Sequence, residues 1–393
     1  MKKIPIIIIT IVSLLIITLG GLNLYNKYKI AKDPDYIEAL RRIENFQDLI
    51  NPPLDLPQEE NGHYWYAKAF EAISKETIQK SRITELLENP EKLNFQNQEI
   101  ADYLETCNKA LEFVEKGNKC KYFNFSNLTN NDNDIFDKVL DAKHIDFMKT
   151  RHLAAAYYLK ASCYINEQKY DKASEMLHEG FTLTRCILKN HNLQDRKVLI
   201  FSMVENAIIN LAQKPMNHLL EKSEKPYPLL LSDINLLLND IGAQEFKNSL
   251  DTEIIGGLLA LEAFEKLQQD KTFTFYTEGK GYQQIKSYTN NKNEILNKLV
   301  KMYNSLYYPK IKASLLTNYK NLIKYIDEIE FAGIENINLE KINVENNPAK
   351  KISLYPLPME YDFSNFHKAY YQTVKTRKLL SDFKKELESR EKK

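Results

Sequence analysis

The sequence predicts an all-α protein: an N-terminal transmembrane helix followed by an array of α-helical hairpins, α-solenoid-like in plan. Three observations predict it. Residues 4–24 are apolar and carry no charge. Glycine and proline, which punctuate sheets and tight turns, number only 11 and 13 in 393 residues, and that scarcity favours long helices over a sandwich or barrel. From Gly62 onward the apolar residues recur at helical rather than strand period.

Composition narrows the partners. The 54 basic and 53 acidic residues leave a net charge of +1. A dedicated nucleic-acid binder carries a basic surplus on one domain, so no nucleic acid is expected as a partner. Nor is the chain an acidic disordered one.

Residues 1–3 form a short flank carrying Lys2 and Lys3. The run that follows, IPIIIITIVSLLIITLGGLNL (4–24), is 21 residues long and uncharged. At about 1.5 Å per residue it spans roughly 30 Å, the hydrocarbon thickness of a bilayer. A core helix of a soluble domain is rarely apolar on every face over this length. The lipid bilayer is therefore the first expected partner, engaged through residues 4–24. A signal peptide has an apolar core of about 7–15 residues and a small-residue cleavage site. This run is longer, and Gly20-Gly21 does not supply such a site, so a retained anchor is favoured over a cleaved signal. Lys2 and Lys3 favour a cytoplasmic N-terminus, although Lys27, Lys29 and Lys32 on the far side offset that bias. The expected topology is a single-pass protein with its body outside the cytoplasm.

Residues 25–60 read as a juxtamembrane helix and linker. Asp33-Pro34 supplies an N-cap and a first-turn proline; Ile37, Leu40 and Ile43 follow at helical spacing, and Asn51-Pro52-Pro53 ends the helix. Residues 61–331 form the helical body. Its first helix, Asn61 to Ile73, is rich in aromatics. After Asn97 the stripe Ile100, Tyr103-Leu104, Cys107, Ala110-Leu111 and Val114 marks a second helix, with Gly117 placed as its C-cap. An Asn/Asp-rich loop follows at about 118–133.

The most informative stretch, His152 to Lys189, reads as two helices joined by the polar turn Asn166 to Lys169. It resembles a tetratricopeptide repeat over residues 154–187. Tyr157 and Tyr164 fit the aromatic positions of the first helix, with Ala161 as the small residue between them. Ala173, Leu177 and Gly180 fit the small, large and small positions of the second. These six are the expected repeat-packing residues. Lys160 and Arg185 depart from the pattern, and no second clean copy lies at a period of about 34 residues. The resemblance implies stacked hairpins that present a face to a protein or peptide partner.

Further helices are expected at Arg196 to Leu220 and beyond Pro228. The stripe Leu250, Ile254, Leu258, Leu261 and Phe264 marks another. Residues Thr272 to Tyr276 alternate as a short strand or an extended loop would. Asn291 to Phe331 is helical, with Pro309 a cap or kink. Residues 332–362 read as an irregular connection with scattered strand pieces, and 363–393 as a C-terminal helix whose charged tail frays into solvent. The order of anchor, aromatic helix and central hairpin also resembles a group of uncharacterised, membrane-anchored helical proteins from bacteria. That resemblance implies an inner-membrane location and brings no activity with it.

Signatures of chemistry are missing from the sequence. The seven histidines form no HExxH pair and no zinc-spaced cluster with cysteine. Gly279-Lys280-Gly281 lacks the spacing of a phosphate loop, and no G-x-S-x-G elbow occurs. Cys107 and Cys163 sit on apolar stripes as small hydrophobes. A Cys163–Cys186 disulfide is excluded by about 20 Å of axial separation along antiparallel helices, which leaves Cys120 as the loop cysteine. Asn124 and Asn127 match glycosylation sequons, a pattern common by chance in an Asn-rich chain. No catalytic residue, metal ligand or cofactor is therefore assigned. The leading reading is a membrane-tethered interaction or scaffold module; the rivals are a structural spacer and an enzyme whose site is assembled from distant residues.

Overall fold

The computed structural model describes residues 24–25, 27–45, 56–74, 82–124, 146–189, 199–267, 272–277, 281–286, 294–331, 333–337, 339, 342, 351–353, 360–362 and 364–392. All but Leu24 of the expected anchor lies outside them. No helix among the described residues is long and apolar enough to cross a membrane.

The protein is all-α in class. Its compact units do not follow chain order: residues 1–47, 254–322 and 348–363 form one, and residues 48–253, 323–347 and 364–393 the other. The expected body 61–331 is thus divided at 253/254 and at 322/323.

In the first unit, helix α1 (Pro34–Asn45) starts where Asp33 accepts the Asp35 backbone N–H at 2.9 Å, an N-cap as the sequence predicts. Its buried residue is Ala39, whereas Ile37, expected on the apolar stripe, is 52% exposed. Two antiparallel strand pairs add to this unit. Strand β1 (Thr272–Thr277) pairs with β2 (Gly281–Lys286), Thr272 opposite Lys286. Strand β3 (Lys351–Ser353) pairs with β4 (Glu360–Asp362).

The second unit is built from helical hairpins. Helix α2 (Gly62–Ala72) packs on α3 (Gln98–Asn118), and α4 (Phe147–Asn166) on α5 (Tyr170–Cys186). Side-chain caps set three starts: Asn61 accepts from the His63 N–H, Asn97 from those of Glu99 and Ile100, and Asp146 from that of Lys149. The α4–α5 turn places Gln168 at φ 61°, in the left-handed region. The α3 stripe of Ile100, Leu104, Cys107, Leu111 and Val114 is buried as its period predicts, each large apolar side chain worth about 1.5–3 kcal/mol on transfer from water.

The predicted helix from Arg196 is broken at Ala212 into α6 (Leu199–Leu211) and α7 (Gln213–Lys222). Pro215 in the first turn of α7 has no N–H to give the preceding turn, which accounts for a fresh start there. Helix α8 (Pro228–Asp240) returns along α5. Two long helices, α9 (Ala243–Leu267) and α10 (Glu294–Glu330, with Pro309 inside it), pass from one unit to the other. Helix α11 (Ser364–Glu391) packs on α6 and α8.

Cross-helix pairs give the direction of each neighbour. Tyr103 on α3 meets His152 on α4, and Asn108 meets Lys160. Phe147 meets Phe201, and Asn166 meets His218, so α4 runs parallel to α6–α7. Asn206 and Asn210 donate to Thr373 and Thr376, so α6 runs parallel to α11. These helices make one row, while α5 and α8 belong to a second row that runs the opposite way.

Two local expectations need correction. Gly117 is not a C-cap: it lies within α3, buried, and Lys119 ends the helix. The C-terminal tail does not fray, because Leu387 is fully buried and the Arg390 guanidinium donates to the Leu220 carbonyl at 2.6 Å. The charges of KKELESREKK surround one apolar residue, Leu387, and that residue is buried.

Candidate functional site

Five of the six repeat-packing residues, Tyr157, Ala161, Ala173, Leu177 and Gly180, are buried; Tyr164 is half-buried, edge-on to Phe95 at 5.0 Å between ring centroids. Tyr157 is held against α3, its hydroxyl 3.4 Å from the Leu111 carbonyl. The ring that meets Gly180 belongs to Tyr158, the neighbour of the residue the pattern selects. Five of the six are thus packed inside the unit, and Tyr164 keeps part of its side chain exposed.

The α5–α8 seam carries two ion pairs in one register. His178 Nδ1 lies 2.7 Å from the Asp233 carboxylate, and Arg185 Nε 2.9 Å from that of Asp240. Each pair is separated by 55 residues. On a helix, positions seven apart return to the same face, so two rungs with one offset fix two parallel helices side by side. The Asp233 hydrogen bond raises the His178 pKa above its ordinary 6.5 against the opposing effect of partial burial.

Between α7 and α11 lies a groove of about 540 Å³. Leu220, Leu379 and Phe383 form its apolar floor; Gln213, Asn217 and Glu221 rise on the α7 side, and Asp382, Glu386 and Arg390 on the α11 side. Arg390 is already engaged by Glu386 at 2.8 Å and by the Leu220 and Ser223 carbonyls. The carboxylates of Glu221 and Asp382 are exposed, so the rim has an acidic excess. This site joins residues more than 150 positions apart, and no local motif signals it. The fold brings no repeat-packing residue to it.

The remaining polar candidates have structural partners. His63 Nε2 lies 2.7 Å from the Lys189 carbonyl, His218 Nε2 2.8 Å from the Asn166 side-chain oxygen, and His367 Nε2 2.9 Å from the Tyr325 hydroxyl. Burial lowers the pKa of His152, His218 and His367. His144 and His191 lie outside the described residues. Among those described, no group of His, Cys, Asp and Glu is arranged to hold a metal ion. All four cysteines are free thiols. Asn124 is fully buried, its amide donating to the Tyr122 hydroxyl at 2.6 Å, so that sequon is closed to a glycan in the folded state; Asn127 lies outside the described residues. No family model matches this chain, and neither does a curated protein or a solved structure.

Proposed function

We propose that this protein is a membrane-tethered helical-hairpin scaffold, anchored through residues 4–24, that binds a protein or peptide partner along the groove between α7 and α11. The single observation that carries the reading is that groove: an apolar floor between two parallel helices, with carboxylates on both rims. An amphipathic helix fits such a channel by laying its apolar face on the floor. Acidic rims favour a partner whose flanks are basic, and charge complementarity of this kind sets the rate and selectivity of docking more than its strength. The tetratricopeptide resemblance supports the same role, since stacked hairpins are a recurrent platform for peptides. The uncharged apolar run preceded by Lys2 and Lys3 supports an inner-membrane anchor with the body outside the cytoplasm, a bias that Lys27, Lys29 and Lys32 beyond the run offset in part.

The test is titration of the detergent-solubilised full chain into a fluorescent amphipathic Leu/Lys helical peptide, read by anisotropy. Saturable, salt-sensitive binding is expected, weakened at least about ten-fold in the Glu221→Lys/Asp382→Lys variant, in which both rims reverse sign. Equal binding by both proteins would remove the groove from the proposal. Absence of saturable binding to either would turn the reading to a spacer. A tag at Lys393, cut by protease in cells whose outer layer has been opened, tests the topology. Protection until the inner membrane is lysed would reverse it.

A further inference from the structure

We propose that residues 24–32 form a collar that lies in the headgroup layer of the bilayer, with Tyr25 and Tyr28 at the interface and Lys27, Lys29 and Lys32 on anionic phospholipid headgroups. This inference rests on the tethering reading above.

Residues 27–31 are helical, as are 24 and 25. Positions 25, 28, 29 and 32 follow the i, i+3, i+4, i+7 spacing of one helical face. On that face stand Tyr25, Tyr28, Lys29 and Lys32, with Leu24 beside them. Leu24, Tyr25 and Tyr28 are 72%, 63% and 61% exposed, which for three large apolar or aromatic side chains within five residues calls for a partner other than water. The opposite side is occupied: Ile30 is buried, so the exposed face is not free to turn inward.

The chemistry of the face selects the partner. Tyrosine prefers the membrane–water boundary, where its ring is apolar and its hydroxyl is wet. Lysines beside it meet the negative potential of anionic lipids. No Asp or Glu occurs anywhere in residues 1–32. The first acid, Asp33, is used at once as the N-cap of α1. Charge therefore changes sign where the chain leaves the membrane side and enters the folded unit. Lys32 lies over the Tyr28 ring, 4.2 Å from its centroid, so cation and aromatic occupy one patch. Position completes the case, because this face follows directly on the 21-residue apolar run and stands where a bilayer-spanning helix emerges. On the far side of α1, Asp35 accepts from the Thr317 hydroxyl at 2.6 Å and pairs with Lys320, and Arg42 stacks over Tyr319. These contacts join α1, the helix that follows the collar, to α10.

The test uses the full chain with Tyr28→Trp in a Trp65→Phe background, which leaves one indole, reconstituted in vesicles. The lipids are phosphatidylcholine alone, or phosphatidylcholine and phosphatidylglycerol at three to one, brominated near the headgroup or near the chain ends. The expected result has three parts. The indole emission is blue-shifted, the shallow bromines quench it several-fold more than the deep ones, and brominated phosphatidylglycerol quenches more than brominated phosphatidylcholine at equal mole fraction. That last preference should vanish in the Lys27→Gln/Lys29→Gln/Lys32→Gln variant and survive in the corresponding arginine variant. Water-like emission with no lipid quenching, in a chain that still resists alkaline extraction from the vesicles, overturns the collar and leaves the anchor standing. Release of the chain by alkaline extraction overturns both.

Discussion

The ring of Tyr66 stands where a side chain on Gly117 would have to be: a Cβ at that position would lie 2.5 Å from the ring's Cε1. The next hairpin repeats the relationship, with a Cβ on Gly180 lying 2.5 Å from Cε1 of Tyr158. Both tyrosines are almost completely buried, so neither ring can swing clear. The glycines set how closely α2 approaches α3 and α4 approaches α5.

Gly117→Ala and Gly180→Ala are therefore expected to destabilise the protein by about 1–3 kcal/mol each, the usual cost of overpacking. The sign decides the matter, because alanine in a helix interior ordinarily stabilises by about 1 kcal/mol relative to glycine. Urea midpoints measured for the full chain would show it. Trimming the facing ring in the same chain, Gly180→Ala with Tyr158→Leu, should recover part of the loss and give a coupling of at least about 0.5 kcal/mol. Strict additivity of the two changes would mean that the ring and the glycine do not touch.

What the sequence made legible was local. Asp33 announced its cap, and the stripe from Ile100 to Val114 announced its buried face, because one turn of helix writes each in nearby residues. The hairpin of α4 and α5 was legible for the same reason. What packs beside it was not: α8 meets α5 at a register of 55 residues, and α4 lies along a helix broken at Ala212, so each neighbour stands far off in sequence. Gly117 was misplaced because a glycine near a helix end looks the same whether it caps the helix or admits a ring. The groove was illegible in principle, since its walls come from residues 213–221 and 379–390 and only the packing of α7 on α11 joins them.

His178 makes the α5–α8 seam sensitive to pH. Its hydrogen bond to Asp233 raises the folded-state pKa above the 6.5 of the unfolded chain. A raised pKa means that the folded protein holds the proton more tightly. The pair's contribution is therefore complete below 6.5 and is lost as the pH rises through the folded value. The thermal midpoint of the wild-type protein should fall across that window by more than that of Asp233→Asn, which lacks the carboxylate. An imidazole titration by NMR that is unmoved by Asp233→Asn would contradict the assignment.

The thiols should separate cleanly in reactivity. Burial pushes the Cys163 pKa up to about 12 and raises those of Cys107 and Cys186 as well. The reacting species is the thiolate; burial raises the Cys120 pKa too, so what sets the other three apart is access, since all three are buried. Cys120 is the half-buried one, its sulfur 3.4 Å from the Lys116 carbonyl. An aromatic disulfide reagent should modify Cys120 alone in the native chain and the other three only in denaturant, as peptide mapping would show. Labelling of Cys107 or Cys163 at the same rate as Cys120 would mean that the hairpins open far more readily than their packing implies.

Arg390 closes the open end of α7. The last carbonyls of a helix have no intrahelical donors. Here the Arg390 guanidinium supplies them, reaching the carbonyls of Leu220 and Ser223 while Glu386 holds it in place. A cation at a helix C-terminus is also favoured by the helix dipole. Arg390→Ala is expected to cost about 1.5–3 kcal/mol, the range for hydrogen bonds to a charged group. Arg390→Lys should recover only part of it, because a single ammonium cannot match the geometry of the fork. Hydrogen exchange localises the effect: protection should fall at the C-terminal end of α7 and across the facing turn of α11, while α4 and α5 keep theirs. If exchange in α7 is unchanged, the tail merely rests on the helix, and the groove between them owes its shape to Leu387 and Phe383 instead.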